Sequence, residues 1–323
     1  MIDPAGMPVL PGLRLTRPWQ LHKLLSIVSI NESAPQATPL IEIQSPVDQG
    51  PGSAIPAAID PDNPPWGLLH ALLLWVMSVV LIVIVPLFAV LPYIVYKTMV
   101  HGPVIDPMKD SGLLFISILA ILPAHILTLA IVWFVVTNRR RRPFLQTLGW
   151  TWPRNFGPVK CVGLAVLLLI VALLFTWLFG GAETQLDQIV KSSLKARFVL
   201  AFLAVFTAPL IEEILYRGIM YPALQRIFGM IAAVAVVSIL FAGVHVFQYF
   251  NNLAVVSVIV ILSITLTVVR ARTRSLLPCF VIHLVFNGLQ AVFLVLQPVL
   301  ERYANQEKAV TGLLIQSLPR LLP

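Results

Sequence analysis

The stretch RFVLAFLAVFTAPLIEEILYRG, residues 197–218, decides the fold. Its first half reads as part of a helix that crosses a membrane, for which about 20 mainly apolar residues are needed. Yet Glu212, Glu213 and Arg217 lie inside it. An ionisable group at membrane depth costs at least about 2.5–3.5 kcal/mol, so its retention points to function. At about 100° per residue, Glu213 and Arg217 share a helical face, as an ion pair requires. Glu212 points about 100° away and needs a partner on another helix.

The surrounding chain supports a membrane setting. Of 323 residues, 58% are hydrophobic and 11% charged, and the mean hydropathy is +0.90; soluble domains carry about 25% charged residues. Apolar runs at Trp66–Tyr96, Gly112–Thr137, Val159–Phe179, Phe198–Arg217, Met230–Phe247, Leu253–Val269 and Leu276–Leu296 predict about seven spans. Pro86 and Pro92 predict a tilt or kink in the first. The fold class expected is all-α, a polytopic transmembrane helix bundle with a Pro-rich disordered N-terminal tail. The net charge is +8, and positive residues cluster at Arg139–Arg142 and at Arg270, Arg272 and Arg274, which flank apolar runs. They read as topological signals that hold both loops and the tail in the cytoplasm, not as a nucleic-acid face. Lys191, Lys195 and Arg197, on the opposite side, run against that orientation. Cys161 and Cys279 are too few for a disulfide framework.

Composition divides the chain into a disordered tail (1–65), N-terminal transmembrane helices (66–193), a core carrying the charged motif (194–296) and a C-terminal tail (297–323). The first tail holds twelve of the 26 prolines, and its first thirty residues lack the apolar core of a secretory signal. Within it, Trp19–Ile30 has apolar residues on one helical face and suits a membrane surface.

Of fourteen acidic residues only Glu212 and Glu213 fall within a span. Partners for Glu212 are few: His245 late in the fifth span, and His283 and Asn287, four apart on the seventh. His125 is alone in its span and reads as a helix–helix hydrogen bond. A carboxylate in such a place can take a proton from water, an imidazole can orient that water, and an imidazole with an amide beside it can donate to an oxyanion. Those parts make an amide or ester hydrolase. The same Glu212, His245 and His283 are also the ligand types of an open zinc site, so Zn2+ is the cofactor of an alternative mechanism and the first needs none. On these boundaries His283 and His245 differ in depth by roughly 12 Å, which a tilt, a mis-set boundary or a break near Tyr221–Pro222 must close.

Glu-Glu-x-x-x-Arg at 212–217, Phe-x-x-x-His at Phe241–His245 and His-x-x-x-Asn at His283–Asn287 together resemble the CPBP (CAAX-protease and bacteriocin-processing, or abortive-infection) intramembrane endopeptidases, over roughly Leu194–Leu296. The resemblance implies that Glu212 activates water with His245, that His283 and Asn287 form the oxyanion site, that Glu213 and Arg217 are structural, and that Phe241 packs nearby. It implies a membrane-associated, CAAX-like peptide or protein as substrate, membrane lipids as surroundings, no nucleic acid, and the cytoplasmic membrane if the source is bacterial. A proton-coupled transporter would show duplicated halves, of which there is no sign. A non-catalytic scaffold or immunity-type factor would tolerate an eroded motif, whereas every motif position is intact.

Overall fold

In the computed structural model the described residues are 60–102, 106, 110–180, 190, 193–249 and 251–317. They belong to one compact unit that begins at Ala57. The amphipathic segment Trp19–Ile30 and most of the expected tail lie outside the described residues. Among those described, every regular element is helical. In chain order these are α1 (Leu68–His101), α2 (Ser111–Leu119), α3 (Ile121–Val136), α4 (Phe144–Thr147), α5 (Pro158–Phe179) and α6 (Leu194–Phe202). They continue with α7 (Ala208–Glu212), α8 (Tyr221–Tyr249), α9 (Leu253–Thr273) and α10 (Leu277–Ser317). Local sequence sets several starts. Asp110 accepts from the N–H groups of Gly112 and Leu113 at α2, Ser193 caps α6, Asn252 caps α9, and Pro158 occupies the first turn of α5. α1 remains helical through Pro86 and Pro92.

Among the described residues, six helices are long and apolar enough to cross a membrane. One of them, Leu194–Val246, runs 53 residues and contains the expected fourth and fifth spans. It doubles back. Tyr216 and Phe241 would stand about 37 Å apart on a straight helix, but their rings meet at 5.1 Å. The reversal lies at Gly229, whose φ of 79° and ψ of 172° belong to a region that only glycine occupies readily. The break is therefore at Gly229 and not at Tyr221–Pro222.

The first limb of this hairpin is not a plain α-helix. Leu203–Thr207 and Glu213–Met220 are π-helical, and α7 is a five-residue α island between them. Each π segment is followed within two residues by a proline, Pro209 or Pro222. A proline ring collides with the carbonyl four residues back, and winding to an i→i+5 pattern moves that carbonyl away. In this pattern Ala208 N–H bonds Leu203 O, so the next carbonyl, Ala204, would fall to Pro209, which has no N–H. Asn287 Nδ2 donates to Ala204 O instead, at 2.8 Å. Near the end of the second π segment the carbonyl of Ile219 accepts from Trp66 Nε1 at 3.2 Å.

Around this limb, α1 packs against α3, α8 against α9, and α5 against both α9 and α10. Large apolar side chains of α1 and α5 point outward, among them Leu69, Phe88, Leu167 and Trp177, as lipid-facing surfaces require. Residues 60–65, assigned to the disordered tail by composition, instead form with Trp66 a hydrogen-bonded strap across the ends of the hairpin and α9. Asp62 pairs with Arg270 at 2.7 Å and Arg274 at 2.6 Å. Arg226 donates to Asn63 Oδ1 and to the carbonyls of Pro64 and Trp66. Arg270 is fully buried over the Tyr221 ring. Two arginines of the second basic loop thus hold the chain entering α1, besides any topological role.

Candidate active site

The motif helix is sealed almost everywhere. From Ile211 to Leu224 every residue is buried except Glu212, whose side chain keeps 23% of its surface open. Glu213 and Arg217 are completely enclosed and pair at 3.0 Å, as their spacing predicts. Arg217 spends its remaining donors on α9: Nε to Thr267 Oγ1 at 3.2 Å, and Nη2 to Ser263 O at 3.0 Å and Ser263 Oγ at 2.9 Å. Its guanidinium also lies 4.7 Å from the centre of the Phe241 ring. Every hydrogen-bonding nitrogen of this buried cation is therefore engaged, which is what makes it tolerable in an apolar interior. Ser263 and Thr267 did not enter the sequence reading. Their one signal is a pair of hydroxyl residues one turn apart on an apolar span.

Glu212 finds its partners on two other helical segments. Its Oε1 is 3.8 Å from His245 Nε2, and its Oε2 is 3.7 Å from His283 Nε2. These separations exceed a hydrogen bond and suit an intervening polar group. The expected 12 Å depth mismatch is absent because the hairpin reaches beyond the start of α10. Tyr221 stands beside Arg270 near the end of α9, and the eight residues from there to Gly229 add about 12 Å of helix.

Both imidazoles are oriented from behind. His245 Nδ1 lies 2.7 Å from Phe241 O; a carbonyl only accepts, so Nδ1 carries a proton and Nε2 is the nitrogen that faces Glu212. His283 Nδ1 lies 2.8 Å from Glu213 Oε1, the oxygen that also receives Arg217, so by the same logic Nδ1 carries a proton and Nε2 is turned to Glu212. A carboxylate and two imidazole nitrogens thus face one another at 3.8 and 3.7 Å, an arrangement that suits a bridging water. Among the described residues, no group of three or more His, Cys, Asp or Glu side chains is arranged to hold a metal ion, so no step is assigned to zinc.

Phe241 sits at the junction. Its ring meets His245 at 4.8 Å, His283 at 6.1 Å and Tyr216 at 5.1 Å. Asn287 is one turn beyond His283; one amide N–H serves Ala204 O, and the amide has a second. His125 bonds Thr207 Oγ1 at 3.0 Å, the helix–helix contact expected of it. Trp75 Nε1 donates to Tyr216 Oη at 2.9 Å and ties α1 to the motif helix.

Residues 194–289 match the family model described as type II CAAX prenyl endopeptidase Rce1-like. The match covers just under a third of the chain and falls on the core that carries the three motifs, consistent with the CPBP family. No curated protein matches, and no solved structure matches.

Proposed function

From the premise that residues 194–289 form an Rce1-like core of the CPBP family, we propose that this integral membrane protein is a CAAX-type intramembrane endopeptidase whose attacking water is activated by Glu212. One observation carries the reading. In a helix otherwise sealed from Ile211 to Leu224, Glu212 alone is open, and its two oxygens face the Nε2 atoms of His245 and His283.

The chemistry runs as follows. Glu212 takes a proton from water while His245 Nε2 accepts the other O–H and orients the oxygen. The water oxygen bonds the peptide carbonyl carbon, and the displaced electron pair moves to the carbonyl oxygen. That oxyanion receives the second amide N–H of Asn287 and the Nε2–H of His283 in its protonated form, which Glu213 supports from the far side of the ring. Collapse breaks the C–N bond, and Glu212 returns its proton to the leaving amine. Glu213, Arg217 and Phe241 position these groups. The substrate is a membrane-associated, lipidated CAAX-like peptide, and the ends bearing Arg139–Arg142 and Arg270–Arg274 face the cytoplasm.

The test is turnover of a fluorogenic prenylated CAAX-type peptide by the detergent-purified full chain. Glu212→Gln is expected to lower kcat by about 10²–10⁴ at an unchanged melting temperature. Turnover equal to wild type would remove Glu212 from the reaction.

A further inference from the structure

A second site lies apart from the catalytic cluster, where α1 begins and α3 ends. A cavity of about 310 Å³ opens there, lined by Trp66, His70, Phe134, Asn138, Arg139 and Arg142 among others. Neither Glu212, His245 nor His283 lines it. The volume is at the lower bound of small-ligand sites. Because two spans terminate at this point, the cavity sits at a membrane–water boundary, with aromatic residues beside cationic ones.

The backbone here is unusual. Asn138, Arg139 and Arg140 have φ of 46°, 57° and 72°, three successive left-handed residues that are not glycine, each disfavoured for L-amino acids. The turn is held by Arg139 N to Phe134 O at 3.3 Å, Arg140 N to Thr137 Oγ1 at 3.2 Å and Arg142 N to Thr137 O at 3.0 Å. A topological signal needs only basic composition near a span. It does not need a strained turn that brings Arg139 and Arg142, three positions apart, onto one cavity while Arg140 lies instead against Trp133. Among the described residues no carboxylate pairs with Arg139 or Arg142, in contrast to Arg270 and Arg274 on the neighbouring loop. Two unneutralised guanidiniums, an imidazole and an amide face one space, with the Trp66 indole and the Phe134 ring in the same lining. That set is complementary to one anionic phosphodiester carrying apolar chains.

We infer that this cavity binds the headgroup of an anionic phospholipid, with Arg139 and Arg142 as charge partners of the phosphate, His70 and Asn138 as further donors, and the acyl chains leaving past Phe134. The occupant would also touch Trp66, whose indole N–H holds the carbonyl of Ile219 in the π segment bearing Glu213. Bound lipid therefore secures a residue that ties the strap ahead of α1 to the π segment.

The experiment is native mass spectrometry of the detergent-purified full chain titrated with phosphatidylglycerol, phosphatidylcholine or inorganic phosphate. Arg139→Gln/Arg142→Gln is compared with Arg140→Gln/Arg141→Gln, which removes the same charge from outside the cavity lining. The expected result is preference for phosphatidylglycerol over phosphatidylcholine, weakened about thirtyfold by the first pair of substitutions and little changed by the second. Equal weakening by both pairs would overturn the site in favour of a general surface field. Equal retention of phosphatidylcholine would overturn the charge requirement. Binding of inorganic phosphate alone with the same dependence on Arg139 and Arg142 would overturn the assignment to a lipid.

Discussion

Replacing Arg217 by Met tests the account of the motif helix most directly. The side chain is fully enclosed and donates to Glu213, Thr267 and Ser263. Its loss leaves Glu213 buried with only His283 as a partner. Removing one member of a buried ion pair costs about 3–5 kcal/mol, because the remaining charge is uncompensated. Glu213→Leu strands Arg217 in the same way and falls in the same range, so the two single losses sum to about 6–10 kcal/mol. The double variant Glu213→Leu/Arg217→Met leaves no charge behind. Its main deficit is the Nδ1–H of His283 without an acceptor, about 1–3 kcal/mol. The expected coupling is therefore several kcal/mol in favour of the double variant. Reversible unfolding by SDS in mixed micelles, followed by far-UV circular dichroism, measures all four proteins on one scale. A loss below about 1 kcal/mol for Arg217→Met, or a double variant as unstable as the sum of the singles, would refute the view of Glu213 and Arg217 as a mutually neutralising brace.

Three further outcomes are expected. Gly229→Ala meets no neighbouring atom but forces alanine to a φ of 79° and ψ of 172°, so stability should fall by about 1–3 kcal/mol from backbone strain alone in the same SDS unfolding assay. Asn287→Ala leaves the Ala204 carbonyl without a donor and should cost about 1–3 kcal/mol, whereas in a Pro209→Ala background the restored N–H should remove most of that penalty. Asp110 is bonded by Lys97 and by Leu113 N–H, which hold its carboxyl down to about 2 against the opposing effect of burial. The stabilisation it gives is present above the ordinary carboxylate value of about 3.9 and is lost as pH falls through about 2. Melting temperatures of wild type and Asp110→Asn should therefore separate above that window and converge below it.

Much of the site was legible because membrane depth makes charge conspicuous. Glu213 and Arg217 could be paired from spacing, and the solitary position of Glu212 required a partner that proved to be His245 and His283. The geometry of the helix between them was not legible from hydropathy, which is equally high in α and π winding. Only Pro209 and Pro222 announced it, and a proline in an apolar run also permits a simple kink. The strap at residues 60–66 was hidden for a different reason. Its prolines lower any helical expectation, and what orders it is Asp62 meeting Arg270 and Arg274, more than two hundred residues away in the chain. Asn287 shows a further limit, since the carbonyl it serves is freed by a missing N–H on a different helix.

The hairpin at Gly229 has a consequence for how the protein is made. Chains are synthesised from the N-terminus, so Glu212 and His245, nearly equidistant from the bend, can meet once its two limbs have entered the bilayer and before α9 and α10 emerge from the ribosome. At that stage Ser263, Thr267 and His283 are not yet available to Arg217 and Glu213. The one neutralising partner each has is the other, one turn away on the same limb. The pair that braces the finished site would thus also lower the electrostatic barrier to inserting the helix that carries it. A protein lacking one member should show the defect at the translocon as well as in the folded state, as a smaller fraction of newly made chains integrated into the membrane.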